Sequence, residues 1–180
     1  MGFFDWFSVI KRPAPGVPAK TAAEVRADLL AINRPTAPFI IRDGAPEFVD
    51  LVGEWRIEDA TWYAIFVKAG LKKSFKVLMR IDETLKEVRS IDERRSVEWQ
   101  AGYPGLSSEP GGKLGLSWEK EYGRGQITEY AWGKGYAFTE QGRYGEVYNY
   151  RFVSSELKTP LQEAVTKAGW VWRGIAFGGL

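Results

Sequence analysis

The stretch "SFKVLMRIDETLKEVRSID" (74–92) decides the fold prediction. Apolar and polar residues alternate through its first half, a pattern typical of a strand with one buried face. The apolar positions are Phe75, Val77, Met79 and Ile81, and the polar positions are Lys76, Arg80 and Asp82. A turn near 83–86 then leads into a second strand, "KEVRSID". Because a short turn can join only antiparallel strands, the stretch predicts an antiparallel hairpin.

Other strands and helices are predicted on both sides of the hairpin. Further strands are expected at 39–43, 48–57, 95–100 and 170–177, with several short aromatic strands between 113 and 153. Helices are expected at 21–34, 60–70 and 159–169. Runs of strands, with helices near the start, middle and end, are typical of an α+β fold. Glycines among the strands allow bends, so we expect a mainly antiparallel sheet that is curved or barrel-like, with about three helices.

Two of these helices carry start signals. Thr21 and Glu24 form the Thr-x-x-Glu pattern of a capping box, in which each side chain accepts a hydrogen bond from a free backbone N–H. In the last helix, Thr159 is the expected N-cap, Pro160 the first residue and Gly169 the residue beyond the end. This helix is therefore predicted to begin after Thr159.

Composition narrows the chemistry of the protein. A chain of 180 residues suits a single domain, which we expect over residues 20–180. It contains no cysteine and no histidine, which excludes disulfides, Cys/His zinc sites and catalysis by a Ser-His-Asp or Cys-His set. The glycine-rich phosphate loop and the nucleophile elbow are missing as well. We therefore assign no catalytic residue, expect no metal or cofactor, and favour a protein that is not an enzyme.

The N-terminal segment has the character of a docking peptide. Four of its first seven residues are aromatic, and residues 3–10 fit a short amphipathic helix. The docking residues are Phe3, Phe4, Trp6, Phe7 and Ile10. Residues 11–19 contain three prolines and are expected to form an extended linker. The chain thus divides into a docking peptide (1–10), a Pro-rich linker (11–19) and one α+β domain (20–180).

Three targets for this peptide stay open. An anionic membrane surface would take the aromatic rings at headgroup level and attract Lys11 and Arg12. A groove on another protein would take the apolar face of the helix. In the third case the peptide covers an apolar patch of its own domain. Contact with a membrane or with a protein partner would run through residues 1–12.

The order of residues in this segment also bears on location. The basic residues follow the apolar run, which is the reverse of a secretory signal peptide. No stretch of the sequence reaches the ~20 apolar residues that a membrane-spanning helix needs. We therefore expect a cytoplasmic protein without a transmembrane segment, located at the membrane periphery if the peptide docks there.

A cluster of basic residues without acids is a second candidate contact for anionic partners. It consists of Lys68, Lys72, Lys73, Lys76 and Arg80. Lipid headgroups or an acidic protein would fit such a patch. The alternative is a solvated strand edge that its lysines protect from pairing with other chains.

The aromatic strands offer a candidate ligand pocket. Its residues are Tyr130, Trp132, Tyr136, Phe138, Tyr148 and Tyr150. Such rings could hold a flat or apolar ligand, with tyrosine hydroxyls to orient it, whereas the alternative is that they form core. "KGYAFTEQ" (134–141) begins like an RNA-binding strand motif but departs from it at Thr139 and Gln141, and acids balance the bases around it. We therefore do not expect nucleic acid as a partner.

These observations favour a non-enzymatic interaction or adaptor protein that docks through its aromatic N-terminal peptide on a protein partner or a membrane surface. Two other classes stay open: a ligand-binding module built on the aromatic strands 122–152, and an enzyme that works without histidine or cysteine. The first would require a cavity lined by rings, and the second a buried carboxylate or lysine with a strongly shifted pKa.

Overall fold

The structure, a computed structural model, describes residues 9–57, 59, 62, 73–96, 121–122, 128–130, 134–138, 144–148, 151–175 and 180. In chain order the first strands are β1 (Val9–Lys11), β2 (Phe39–Asp43), β3 (Leu51–Trp55), β4 (Lys73–Asp82) and β5 (Glu87–Ser96). They are followed by β6 (Glu121–Tyr122), β7 (Thr128–Tyr130), β8 (Lys134–Phe138), β9 (Tyr144–Tyr148), β10 (Arg151–Val153) and β11 (Val171–Ile175). The described α-helices are α1 (Ala22–Leu30) and α2 (Ser154–Lys167), and a 3-10 turn covers Ala45–Glu47.

Six strands form an open sheet in the order β1-β11-β5-β4-β3-β2, and the two-residue β6 adds to β5 beyond the end of β11. Every neighbouring pair is antiparallel except β11 and β5, which are parallel. The α+β fold with a mainly antiparallel sheet is thus confirmed. The barrel-like form is wrong, because β1 and β2 lie at opposite ends of the strand order and do not pair.

A side chain satisfies the outer edge of β2 in place of another strand. Asn33 donates from Nδ2 to the Ile41 carbonyl and accepts at Oδ1 from the Ile41 N–H, both at 2.7 Å. A further strand would have paired with these same backbone groups. At Ile41 the edge is therefore satisfied by a side chain, and the sheet stays open.

Both helices pack on one face of the sheet. The alternating apolar residues of β4 point toward them, and Phe75, Val77 and Met79 are buried in the shared core. The helices contribute Val25, Leu29, Leu157, Leu161 and Val165 to this core. Gly53 of β3 allows α2 to approach closely, since a Cβ at this position would lie 3.2 Å from Leu157 Cδ1.

Several local predictions are confirmed. The capping box is present, with Thr21 N donating to Glu24 Oε2 at 2.9 Å and Glu24 N donating to Thr21 Oγ1 at 3.3 Å. Strand β2 has its predicted bounds, and β4 and β5 form the predicted hairpin. Strand β5 runs on to Ser96, so no separate strand begins at residue 95. The helix expected at 60–70 lies outside the described residues except for Trp62, which is buried.

Helix α2 begins at Ser154, five residues before the predicted N-cap Thr159. Pro160 therefore lies inside the helix, where it removes one ladder hydrogen bond. The added turn brings Leu157 into the core, four residues before Leu161, and both side chains are fully buried. Burial of a leucine contributes about 2 kcal/mol, which offsets the lost bond. The predicted end is confirmed, because Gly169 follows the helix with a φ of +76°.

The segment before α1 is attached to the domain at both ends. Residues 9–11 form β1, which pairs with β11, so the last residues of the predicted N-terminal helix are extended; its earlier residues lie outside the described part of the chain. Further on, Lys20 N donates to the Ala168 carbonyl and Trp170 Nε1 donates to the Lys20 carbonyl. Both ends of the Pro-rich segment 11–19 are therefore bound to the domain.

Two further strand pairs are described between residues 128 and 153. Strand β7 pairs with β10 and β8 pairs with β9, both in antiparallel fashion. Tyr130 lies opposite Arg151, and Tyr148 lies opposite Lys134. These pairs confirm short strands in the aromatic region.

Candidate functional site

The face of the sheet opposite the helices, which we call the outer face, carries most of the charged strand residues. They form two groups at different places on this face. The first is an ion-pair network of Arg42, Glu47, Glu54 and Lys76. The second surrounds a groove of about 590 Å³, which we call the arginine groove, lined by Arg12, Leu85, Glu87, Arg89, Val171, Arg173 and Ile175.

The ion-pair network ties the turn after β2 to the sheet. Glu54 accepts from Arg42 Nε and from Lys76 Nζ, each at 2.6 Å, and Glu47 accepts from Arg42 Nη1 at 3.0 Å. Burial by itself would raise the pKa of Glu54, but the hydrogen bonds from Arg42 and Lys76 outweigh it and hold the pKa below its ordinary value. Each charge in the network has an opposite charge beside it. The network therefore serves the fold rather than a ligand.

The strand register builds the arginine groove. Arg89 of β5 and Arg173 of β11 are partners across the one parallel pair of the sheet, so both side chains lie on the outer face. Ile10 of β1 is the partner of Arg173, and Arg12 follows two residues later along the same edge. Alternation along a strand then places Arg12 beside the other two arginines.

Glu87 holds two of the arginines in place. It accepts from Arg89 Nε at 2.7 Å through Oε1 and from Arg173 Nε at 2.8 Å through Oε2, and its side chain is only 6% exposed. Burial alone would raise the pKa of Glu87, but the hydrogen bonds from Arg89 and Arg173 outweigh it and lower the pKa. Glu87 is thus ionised at neutral pH and orients the guanidiniums, and it does not serve as an acid.

Arg12 differs from the other two arginines, because among the described residues it has no hydrogen-bond or ion-pair partner. Its side chain is exposed. Three guanidiniums and the carboxylate of Glu87 line the groove, and Asp82 lies 3.4 Å from Arg89 Nη2. This arrangement can bind an anion, because guanidinium N–H groups match the oxygens of carboxylates and phosphates.

Sequence reasoning named Arg12 only as a source of attraction and missed Glu87, Arg89 and Arg173. The alternation in β5 places Glu87 and Arg89 on one face, which is a local signal. The pairing of β5 with β11 had no local signal, because parallel strands are joined by long connections. The groove was therefore not visible in the sequence.

The predicted docking and pocket residues lie mostly outside what the structure describes. Phe3, Phe4, Trp6 and Phe7 are not described, and Ile10 lies in β1. Trp132 and Tyr150 are not described, whereas Tyr130, Tyr136, Phe138 and Tyr148 lie in β7, β8 and β9. The docking peptide and the ligand pocket both stay predictions.

The basic cluster is partly used within the protein. Lys68 and Lys72 lie outside the described residues, and Lys73 begins β4. Lys76 is paired with Glu54 and Glu47, and its side chain is 14% exposed. Arg80 is exposed and donates from Nη2 to the Phe48 carbonyl. These two residues share the outer face but do not present two free charges.

Phe48 is an exposed aromatic residue in an unusual backbone conformation. Its side chain is 85% exposed and its φ is +58°, in the left-handed region that bulky residues rarely adopt. The Phe48 N–H donates to the Ala45 carbonyl, and Arg80 Nη2 donates to the Phe48 carbonyl. The turn is thus held from both sides of Phe48 while the ring points to solvent.

We expect Glu87→Gln to lower the free energy of unfolding by about 2 kcal/mol near neutral pH, because Arg89 and Arg173 lose an ionised acceptor. The difference from the wild type should shrink in acid. A carboxylate whose pKa is lowered by folding stabilises the fold fully above its unfolded value, 4.5 for Glu87, and this contribution is lost as the pH falls through the folded pKa.

Urea denaturation of both chains from about pH 7 to about pH 3 measures this difference. Glu47 and Glu54, whose pKa values are also lowered, are present in both chains and cancel. A difference that stays constant over the whole range would contradict the role given to Glu87.

No family model matches the chain, and no curated protein and no solved structure matches it. In the described part of the chain, no helix is long and apolar enough to cross a membrane. The same residues contain no group of three or more acidic side chains placed to hold a metal ion. A function therefore has to be argued from the outer face and from the N-terminal sequence.

Proposed function

We propose that the protein is a non-enzymatic interaction protein that docks on an anionic membrane surface through its aromatic N-terminal peptide. The observation that carries the proposal is the pairing of residues 9–11 with β11. This pairing limits the docking peptide to residues 1–8, which join the domain at the edge of the sheet. The peptide has no need of the Pro-rich segment as a tether.

The chemistry of residues 1–12 supports a membrane target. Phe3, Trp6 and Phe7 keep the i, i+3, i+4 spacing within residues 3–8, so a single helical turn would present them together. Aromatic rings partition to the headgroup level of a bilayer. A single apolar anchor binds only marginally, and stable attachment takes a second signal.

The second signal is a pair of basic residues. Lys11 and Arg12 follow the peptide after Val9 and Ile10 of β1, and both are exposed. Each basic residue near an anionic surface contributes about 1 kcal/mol of attraction. In this proposal the protein is cytoplasmic and sits at the periphery of a membrane, as the residue order of the N-terminal segment favours.

The full chain with Phe3, Trp6 and Phe7 all changed to serine tests the proposal. Wild type is expected to sediment with phosphatidylserine-containing vesicles and not with pure phosphatidylcholine, because the surface must be both apolar and anionic. The triple variant is expected to stay in solution with both. Ser8→Ala, which alters the peptide without removing a ring, is the control and should sediment like the wild type. Thermal midpoints of all three chains are recorded alongside.

Two results would overturn the membrane target. If neither vesicle binds but wild type alone captures a protein from an extract, the peptide docks in a groove on another protein. If the triple variant melts well below the wild type and no vesicle binds, the peptide packs against its own domain and the docking proposal is wrong.

A further inference from the structure

We infer that the arginine groove binds a phosphate monoester that carries an apolar group. All seven lining residues lie between Arg12 and Ile175, so the site needs none of the docking peptide. The inference goes beyond the proposed docking function. The two share Arg12, so docking is judged by the triple serine variant and the groove by phenyl phosphate binding.

The groove holds guanidinium N–H groups that the protein does not use. Arg89 and Arg173 each donate a hydrogen bond from Nε to Glu87, and Arg89 Nη2 lies 3.4 Å from Asp82 Oδ2. Among the described residues, the Nη atoms of Arg173 and the whole guanidinium of Arg12 have no hydrogen-bond partner. Glu87 fixes Arg89 and Arg173 through Nε, which leaves Nη1 of Arg89 and both Nη atoms of Arg173 for a ligand. A phosphate group accepts several such hydrogen bonds at once.

The charge of the groove favours an anion with several acceptor oxygens. Arg12, Arg89 and Arg173 face the carboxylate of Glu87, and Asp82 beside Arg89 adds a second carboxylate, which leaves an excess of one positive charge. A phosphate monoester carries about −1.5 to −2 charges near neutral pH. A carboxylate offers only two oxygens, so it would accept fewer of the hydrogen bonds that Arg12 and Arg173 can donate.

The rest of the lining is apolar and larger than a phosphate needs. Leu85 is 58% exposed, and Val171 and Ile175 are half-buried beside the arginines. The volume of about 590 Å³ lies in the range of sites for small organic ligands. The groove therefore suits an ester whose organic part covers Leu85, Val171 and Ile175.

Titration calorimetry of the full chain at low ionic strength tests the inference, with phenyl phosphate, inorganic phosphate and benzoate as probes. Phenyl phosphate is expected to bind saturably and more tightly than the other two, because inorganic phosphate lacks the ring and benzoate offers fewer acceptor oxygens. Arg12→Gln is expected to weaken phenyl phosphate binding at least about tenfold, since it removes charged hydrogen bonds. Arg12 is exposed and unpaired within the described chain, so this variant should fold normally.

Lys11→Gln is the matched control. It removes one positive charge from the residue next to Arg12, but Lys11 is the partner of Trp172 and lies on the helix side of the sheet. Its effect on binding is expected to stay within about twofold, as for an exposed charge outside the site. The inference is wrong if phenyl phosphate does not saturate the protein, if benzoate binds as tightly, or if the two variants weaken binding equally.

Vesicle sedimentation shows whether the phosphate ester is a lipid headgroup or a soluble molecule. Sedimentation with phosphatidic acid that phenyl phosphate competes away, and that Arg12→Gln abolishes, identifies a lipid headgroup as the ligand. Saturable binding of phenyl phosphate without such sedimentation identifies a soluble ester. The variant with serine at Phe3, Trp6 and Phe7 retains every lining residue and should bind phenyl phosphate like the wild type. Both outcomes support the same chemistry in the groove.

Discussion

Gly169→Ala is expected to lower the free energy of unfolding by about 3 kcal/mol or more, which combines backbone strain with a clash. Gly169 has a φ of +76°, where a Cβ meets the following carbonyl. The added Cβ would also lie 2.5 Å from the Pro18 carbonyl oxygen and 2.8 Å from Ala19 Cα. Backbone atoms cannot turn aside as a flexible side chain can. Urea denaturation of the full chain measures the loss.

Gly16→Ala separates the two causes. Gly16 has a similar φ of +82°, but a Cβ there would meet nothing within 4 Å. Gly16→Ala should therefore lower the free energy of unfolding only through backbone strain, by about 1 kcal/mol. The excess loss at Gly169 reports the contact between the turn after α2 and residues 18–20. Equal losses in the two variants would show that this contact does not stabilise the fold.

Leu157→Ala is expected to lower the free energy of unfolding by about 3 kcal/mol, the usual range for a leucine removed from a closed core. Leu157 is fully buried, and its Cδ1 packs against the position that Gly53 leaves open. The surrounding strand backbone cannot collapse into the space, so a cavity remains. Chemical denaturation gives the loss, and circular dichroism shows whether the first turn of α2 unwinds.

The same substitution at Leu85 is the control. Leu85 is 58% exposed in the turn between β4 and β5, so Leu85→Ala should change stability by less than about 0.5 kcal/mol. If Leu157→Ala were as mild as Leu85→Ala, the first turn of α2 would not belong to the core. The start of α2 would then lie nearer to Thr159, as its capping pattern suggests.

Local patterns predicted the elements whose stability is local. The alternation through 74–82 gave a strand because Phe75, Val77 and Met79 all face one core, and the turn at 83–86 closes the hairpin over a few residues. The capping box of Thr21 and Glu24 forms within four residues and needs no other part of the chain. Such features are decided by neighbours in sequence.

The start of α2 shows where local signals fail. Thr159 and Pro160 have the residue types of a helix start, yet the helix begins earlier. Leu157 gains more by packing against Gly53 than the helix loses at Pro160. Leu157 and Gly53 lie some hundred residues apart in the chain, so no local sequence pattern could show where the helix begins.

The candidate site was hidden for the same reason. Arg89 and Arg173 meet because β11 joins β5 in parallel, and Arg12 meets them because β1 then adds to β11. None of these pairings leaves a periodic or spacing signal, since each brings together distant segments. Barrel closure was predicted wrongly, and no local pattern showed that Asn33 would bind the outer edge of β2 at Ile41.

The sequence by itself determined an α+β domain, the β4–β5 hairpin, the start of α1 and an aromatic N-terminal peptide, because alternation, capping and composition act over a few residues. Only the tertiary structure decided that the sheet stays open, that both ends of the segment 9–20 are bound to the domain, and that three arginines share one groove. Those outcomes depend on long-range strand pairing and on the burial of particular side chains, where the free energy of contact outweighs local preference.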